Sequence, residues 1–283
     1  MANDITSISS PTEPDKQFIF AATVIKYIDT DDELPQDRLG TILRIYVERE
    51  SGSPYSDLDL LYHQVLSTCR RWEKVQAVLR LLVTPPDKPS YVQYSDNISW
   101  RSSEMVALLL NLRKGEVETI LSRLHSVLQI PESGGRDNIR IAHASFTEFL
   151  SDANRSGEYH TPKMSHSEYF DCVAVLLLRT LSTPKQHYPP RQSEPDLTKT
   201  LSVWKDMVQK TWGDLMNYSF SNWYRYCKVV QSPSLDLLAA IGEFDPYLFM
   251  AAYAFHGIIM NLDIWRDIFV WAKVRLLSAS YYV

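Results

Sequence analysis

The residues most able to do chemistry are few. His160, His166 and Glu168 lie close together and are of types that bind zinc. A zinc site needs about three or four converging ligands, and no partner cluster completes this set. The flanking Tyr159, Pro162 and Ser165 predict an exposed loop there, so no metal is expected. The nine glycines build neither G-x-x-x-x-G-K-[ST] nor G-x-G-x-x-G, and no phosphate cradle is visible. Nor is there a G-x-S-x-G elbow, an H-E-x-x-H helix or a C-x-x-C pair. A Ser/His/Asp triad can assemble from distant segments, but nothing here points to one. The sequence reads as non-enzymatic, with no cofactor of its own.

Bulk properties narrow the class further. The 283 residues are 45% hydrophobic and 22% charged, as in ordinary globular proteins, and have room for one large domain or several small ones. A net charge of -5 disfavours nucleic acid unless a basic face is concentrated locally. The longest basic runs are the pairs Arg70-Arg71 and Arg113-Lys114. Cys69, Cys172 and Cys227 are scattered and odd in number, which predicts reduced thiols and a cytoplasmic chain. Residues 1–17 are polar and read as a disordered lead without the features of a secretory signal. The uncharged interval between Asp245 and Asp263 contains Pro246, His256 and Asn261. It falls short of the ~20 predominantly apolar residues of a membrane span and reads as a buried core helix.

The elements that would position any site are mostly helical. Residues 16–28 carry Phe18, Ile19, Phe20, Val24, Ile25 and Ile28 and predict a buried helix. Pro35 suits the first turn of a second helix, and Ser51-Gly52-Ser53-Pro54 is a break. Helices are expected over 58–66 and 72–83, the latter stopped by Pro85-Pro86. Ser102 is placed to cap a helix through Leu112, and Val117, Ile120, Leu121, Leu124 and Leu128 form one stripe of the next. Short strands at 127–130 and 139–141 then flank a turn containing Gly134-Gly135 and Asp137-Asn138. Ser145 and Glu148 match a capping box, and Phe146, Phe149 and Leu150 give the following helix its apolar face.

Helices followed by a β-hairpin are the order of a winged helix, assigned to 57–155. A helical C-terminal region follows over 156–283, with helices at 169–181, 201–209, 235–241, 247–262 and 264–277 and a Pro-rich loop near 183–199. The fold class is therefore mainly α. A winged helix invites a DNA-binding reading. Its expected recognition helix carries Glu116, Glu118 and Arg123, a slightly acidic set that neutralises few phosphates. Protein packing is the favoured use, with no nucleic acid and no membrane as partner.

One constellation points to a family. Leu124-His125-Ser126-Val127-Leu128 and His143-Ala144-Ser145-Phe146, then Phe149-Leu150 and Arg155-Ser156, resemble the winged-helix region of fungal NACHT-domain proteins. These belong to the STAND class of signalling NTPases. Phe18-Ile19-Phe20-Ala21-Ala22-Thr23, with Pro35 and Arg38-Leu39, is similar to the closing helices of the NACHT module, which makes 18–50 a remnant of it. Leu60-Leu61-Tyr62 resembles the helix that opens the winged-helix part. The resemblance spans roughly 18–182, and order and spacing carry it more than any single motif.

The resemblance implies a mechanism. In that family the winged helix folds over bound ADP and holds a closed state, and exchange for ATP opens the molecule for oligomerisation. A histidine of the winged helix touches the β-phosphate, and His143 is the position that would take this role. Alternatively, His143 caps local backbone beside Phe146. The phosphate loop and the magnesium-binding acidic strand have no counterpart in this sequence, so ADP or ATP is expected only when a NACHT module completes the site. The chain then looks like a truncated paralogue, a fragment of a longer gene, or a regulatory piece acting in trans. A free-standing helical interaction adaptor is the other reading.

Overall fold

A computed structural model describes residues 13–29, 33–47, 56–89, 92, 98–131, 137–182, 213–244 and 270. Among them the fold is mainly α, with one two-stranded antiparallel hairpin. The chain divides into two compact units. The first comprises Met1–Pro85 and Trp100–Lys163, the second Pro86–Ser99 and Met164–Val283.

In the first unit, α1 (Glu13–Ile28) and α2 (Pro35–Val47) pack on each other and on α3 (Ser56–Ser67). Pro35 opens α2, where its missing N–H costs nothing. Arg38 joins the first two helices. Its Nη1 donates to the Tyr27 carbonyl at 2.6 Å, and its guanidinium lies 4.7 Å from the centroid of the Tyr27 ring. The helix expected to be buried at 16–28 is buried on one side only. Thr23 and Tyr27 face inward, whereas Phe18 is 76% and Ile25 66% exposed. A nearly continuous apolar run does not reveal which of its residues the partner helices reach.

Helix α4 (Trp72–Val83) has the bounds that periodicity predicts, and its Val75, Val78, Leu79 and Leu82 are buried. Ser102 caps α5 (Ser103–Leu109) by accepting the Met105 N–H at 3.3 Å. That helix stops at Leu109, short of Leu112, where Asn111 takes a positive φ of 51°. Gly115, with φ of +78°, starts α6 (Glu116–Leu121). A side chain there would be strained. The expected stripe does not continue as a helix. Leu124 is buried in the turn after α6, and Leu128 lies in a strand. All five residues are buried, so the pattern recorded burial and not helix length.

Strands β1 (Leu128–Gln129) and β2 (Arg140–Ile141) pair with Leu128 opposite Ile141 and Gln129 opposite Arg140. The Ala142 N–H extends the ladder to the Val127 carbonyl at 2.9 Å. The turn expected between them falls partly on 132–136, outside the described residues. Helix α7 (Ala144–Ser151), the short α8 (Ala153–Ser156) and a 3-10 turn (Gly157–Tyr159) close the unit. The Arg155 guanidinium forks onto Asp59 of α3 with contacts of 2.7 and 3.0 Å, a bidentate pair that fixes α8 against α3.

In the second unit, α9 (His166–Ser182) packs against both α10 (Gly213–Val229) and α11 (Leu235–Glu243). Buried Asp171 of α9 accepts the Ser234 N–H at 2.8 Å and hydroxyl at 2.6 Å. Ser234 in turn caps α11 by accepting the Leu237 N–H at 3.1 Å. Helix α10 was not expected. Its Tyr218, Ser219, Asn222, Trp223, Tyr226 and Cys227 are buried at helical spacing, but mixed polar and aromatic types mask the stripe. No helix among the described residues is long and apolar enough to cross a membrane. The Pro-rich 183–199, the expected helices at 201–209, 247–262 and 264–277 (Val270 apart), and 1–12 of the lead lie outside the described residues.

Candidate functional site

The site named by the sequence is built on α7. His143 is its N-cap residue, in extended conformation (φ -142°, ψ 139°), and its carbonyl accepts the Phe146 N–H at 3.1 Å. The imidazole is half-buried, and burial lowers its pKa below the ordinary histidine value, with a further push from nearby Lys26 of α1. A cation beside a partly desolvated ring disfavours a second positive charge.

The capping box does not form. Ser145 is the second residue of α7, and no side chain caps that helix. Its hydroxyl is instead hydrogen-bonded to the Tyr62 hydroxyl of α3 at 2.9 Å, with both residues buried. Glu148 is exposed. The S-x-x-E spacing was present, but His143 already begins the helix. The serine therefore sits two residues too deep to cap and faces α3.

Phe146 and Phe149 are fully buried and converge on the same tyrosine. Tyr62 lies 5.0 Å from Phe146 in an edge-on arrangement and 5.2 Å from Phe149 between ring centroids. His63 meets Phe149 edge-on at 5.2 Å, and its Nε2 is 2.8 Å from the Arg155 carbonyl oxygen. Burial pushes the Tyr62 phenol up to about 12 against the opposing pull of its bond to Ser145, so it stays protonated. Ser145, Phe146 and Phe149 thus form the joint between α3 and α7, while His143 stands at its edge.

The histidines considered for a metal are used otherwise. The His160 ring nitrogen lies 3.3 Å from the Ser151 carbonyl oxygen, and His166 pairs with Asp87. His166 and Glu168 occupy the first turn of α9 and not a loop, and Glu168 accepts the Ser165 N–H at 2.8 Å. Among the described residues no group of three or more such side chains could hold a metal ion.

The structure also makes a cluster that the sequence concealed. The basic pairs Arg70-Arg71 and Arg113-Lys114 meet beside Lys74, where the start of α4 faces the start of α6. Two adjoining cavities of about 480 and 290 Å³ share Arg71 and Thr119 in their walls, and Arg123 lines the smaller. One carboxylate sits among these cations. Glu116 pairs with Lys74, lies 3.7 Å from Arg71 Nη1 and accepts the Arg113 N–H at 3.0 Å, so its pKa is lowered by these contacts. No signal in one dimension joins pairs so far apart in sequence.

Comparison with family models, with curated proteins and with solved structures found no match. The likeness to NACHT proteins therefore rests on the sequence motifs alone.

Proposed function

We propose that the chain is a non-catalytic regulatory segment of a NACHT-type signalling protein, working by contact between domains. In this reading α3 to α6, the hairpin and α7 form a winged helix that closes over a nucleotide held on other polypeptide. The succession of helices and then a hairpin with Leu128 opposite Ile141 supports the assignment.

The observation that carries the proposal is the apolar side chains left uncovered on the first two helices. Phe18 and Ile25 stand two turns apart on α1, and Leu39 and Leu43 one turn apart on α2, all exposed. Leu34 before α2 and Leu60 on α3 are exposed as well. Each large side chain covered by a partner is worth roughly 1.5–3 kcal/mol. Exposed apolar groups at such density on neighbouring helices mark an interaction surface. The motifs of 18–50 that resemble the end of a NACHT module lie on these same helices.

His143 is the position proposed to read the phosphate. Its lowered pKa keeps the imidazole neutral at pH 7, able to donate one N–H while Lys26 supplies charge. Two such donors do not make a nucleotide site. A triphosphate needs a cradle of backbone N–H groups and acidic residues for magnesium. Calorimetric titration of ADP, and of ATP with magnesium, into the chain alone tests this. No saturable heat is expected, and micromolar binding of either nucleotide would overturn the proposal.

A further inference from the structure

We infer that the basic cleft between α4 and α6 is a docking surface for an acidic peptide segment of a protein partner. This rests on the cleft alone and stands apart from the NACHT reading.

The cleft is a local reversal of the chain's charge. The chain carries a net charge of -5, yet among the described residues the two adjoining cavities are lined by Arg70, Arg71, Lys74, Arg113, Lys114 and Arg123 against the single carboxylate of Glu116. Glu73 and Glu118 are the nearest acids in sequence, and neither lines the cavities. Concentrated like charges repel one another and weaken the fold locally. The cluster is held together by Glu116, which contacts Lys74, Arg71 and the Arg113 N–H at once. Arg70, Arg113 and Lys114 are exposed. The Arg71 side chain is 66% exposed and only loosely engaged at 3.7 Å from the carboxylate.

Glu116 identifies the guest. It shows that a carboxylate fits between Lys74 and Arg71, and arginine forks suit further carboxylates. Nucleic acid fits less well. Among the described residues no aromatic ring lines either cavity to stack a base. Helix α6 carries no arginine, asparagine or glutamine to read base edges. Glu116 would also repel a phosphodiester backbone drawn along the cleft. A flexible acidic peptide can place single carboxylates at Arg71, Arg113 and Lys114 and avoid it.

Exposed ion pairs are individually weak, so binding must be multivalent and sensitive to salt. The test is fluorescence anisotropy of a labelled hexaglutamate peptide with the full chain at low ionic strength. Saturable binding is expected, weakened about tenfold in the Arg71→Glu, Arg113→Glu double variant, since two reversed contacts act together. Circular dichroism checks its fold, and Arg70→Gln with Lys114→Gln is the milder second variant. Glu116→Gln keeps an acceptor for the Arg113 N–H and removes the internal competitor, so it should tighten binding. Absence of saturable binding, or binding indifferent to both double variants, overturns the inference. So does a Glu116→Gln variant that binds no better than the parent chain. Tighter binding of duplex DNA through the same arginines would make the cleft a nucleic-acid surface, and displacement of the peptide by inorganic phosphate would make it a simple anion site. Either result overturns the acidic-peptide assignment.

Discussion

Tyr62 on α3 and Ser145 on α7, 83 residues apart in sequence, share a hydrogen bond of 2.9 Å inside the core of the first unit. The pair satisfies two hydroxyls where water does not reach. Ser145→Ala leaves the Tyr62 hydroxyl without this partner, and a buried unsatisfied group costs about 1–3 kcal/mol. Tyr62→Phe in turn leaves the buried Ser145 hydroxyl without this partner, at a cost in the same range. The double variant should be less destabilised than the sum of the singles. Urea unfolding of the three variants measures this, and strict additivity would deny the bond.

Phe146→Ala removes a fully buried ring packed 5.0 Å from Tyr62 and 6.4 Å from Phe149 between centroids. Truncation of such a side chain costs about 3–5 kcal/mol. Amide exchange should accelerate throughout 56–83 and 140–159, the segments the ring joins. Exposed Glu148, which caps nothing in this helix, should tolerate alanine with a change within about 0.5 kcal/mol.

Acidification should act through His143. Its pKa is lower in the folded chain than in the unfolded one, through burial and then Lys26. The unfolded state therefore binds the proton first as pH falls below about 6.5. The stability tied to the neutral ring is complete above that value and is lost as pH falls toward the folded pKa. Denaturation midpoints of the parent chain and of His143→Gln, compared between pH 7.5 and 5.5, check the sign. The variant should show the shallower fall.

The thiols should be sluggish. Burial pushes Cys69 up to about 11 despite nearby Arg123, and pushes Cys227 up further still. Thiolate is the reacting form. At pH 8 both should react with a disulfide reagent far more slowly than in urea, and fully buried Cys227 more slowly than Cys69. Equal rates in native and unfolded chain would contradict these environments.

How much of this was legible beforehand depended on the range of the interaction. Helix α4 and the Ser102 cap are local, and sequence spacing defined both. The strands are legible because β-branched and apolar residues flank a glycine-rich stretch, and Leu128–Gln129 and Arg140–Ile141 fall within the expected 127–130 and 139–141. The role of Ser145 was hidden because its partner Tyr62 lies on another helix. The exposed side of α1 was hidden for the converse reason, since only the positions of α2 and α3 decide that Tyr27 turns inward and Ile25 outward. The long helix α10 escaped because Ser219, Asn222 and Tyr218 are buried through hydrogen bonds, not through apolarity. The Arg71 and Arg113 cluster is the extreme case, joined only by the packing of α4 on α6.

We propose that the α1–α2 surface, with its exposed Phe18 and Leu43, is where the chain meets a NACHT module. The most direct measurement is the dissociation constant between the chain and a purified, ADP-loaded NACHT nucleotide-binding module, by biolayer interferometry, for the parent chain and for Phe18→Asp with Leu43→Asp. Both side chains are exposed, so the substitutions leave the fold intact. Saturable binding by the parent chain and its loss in the double variant are expected. No binding by the parent chain, or equal binding by the variant, would rule out a NACHT contact through this surface.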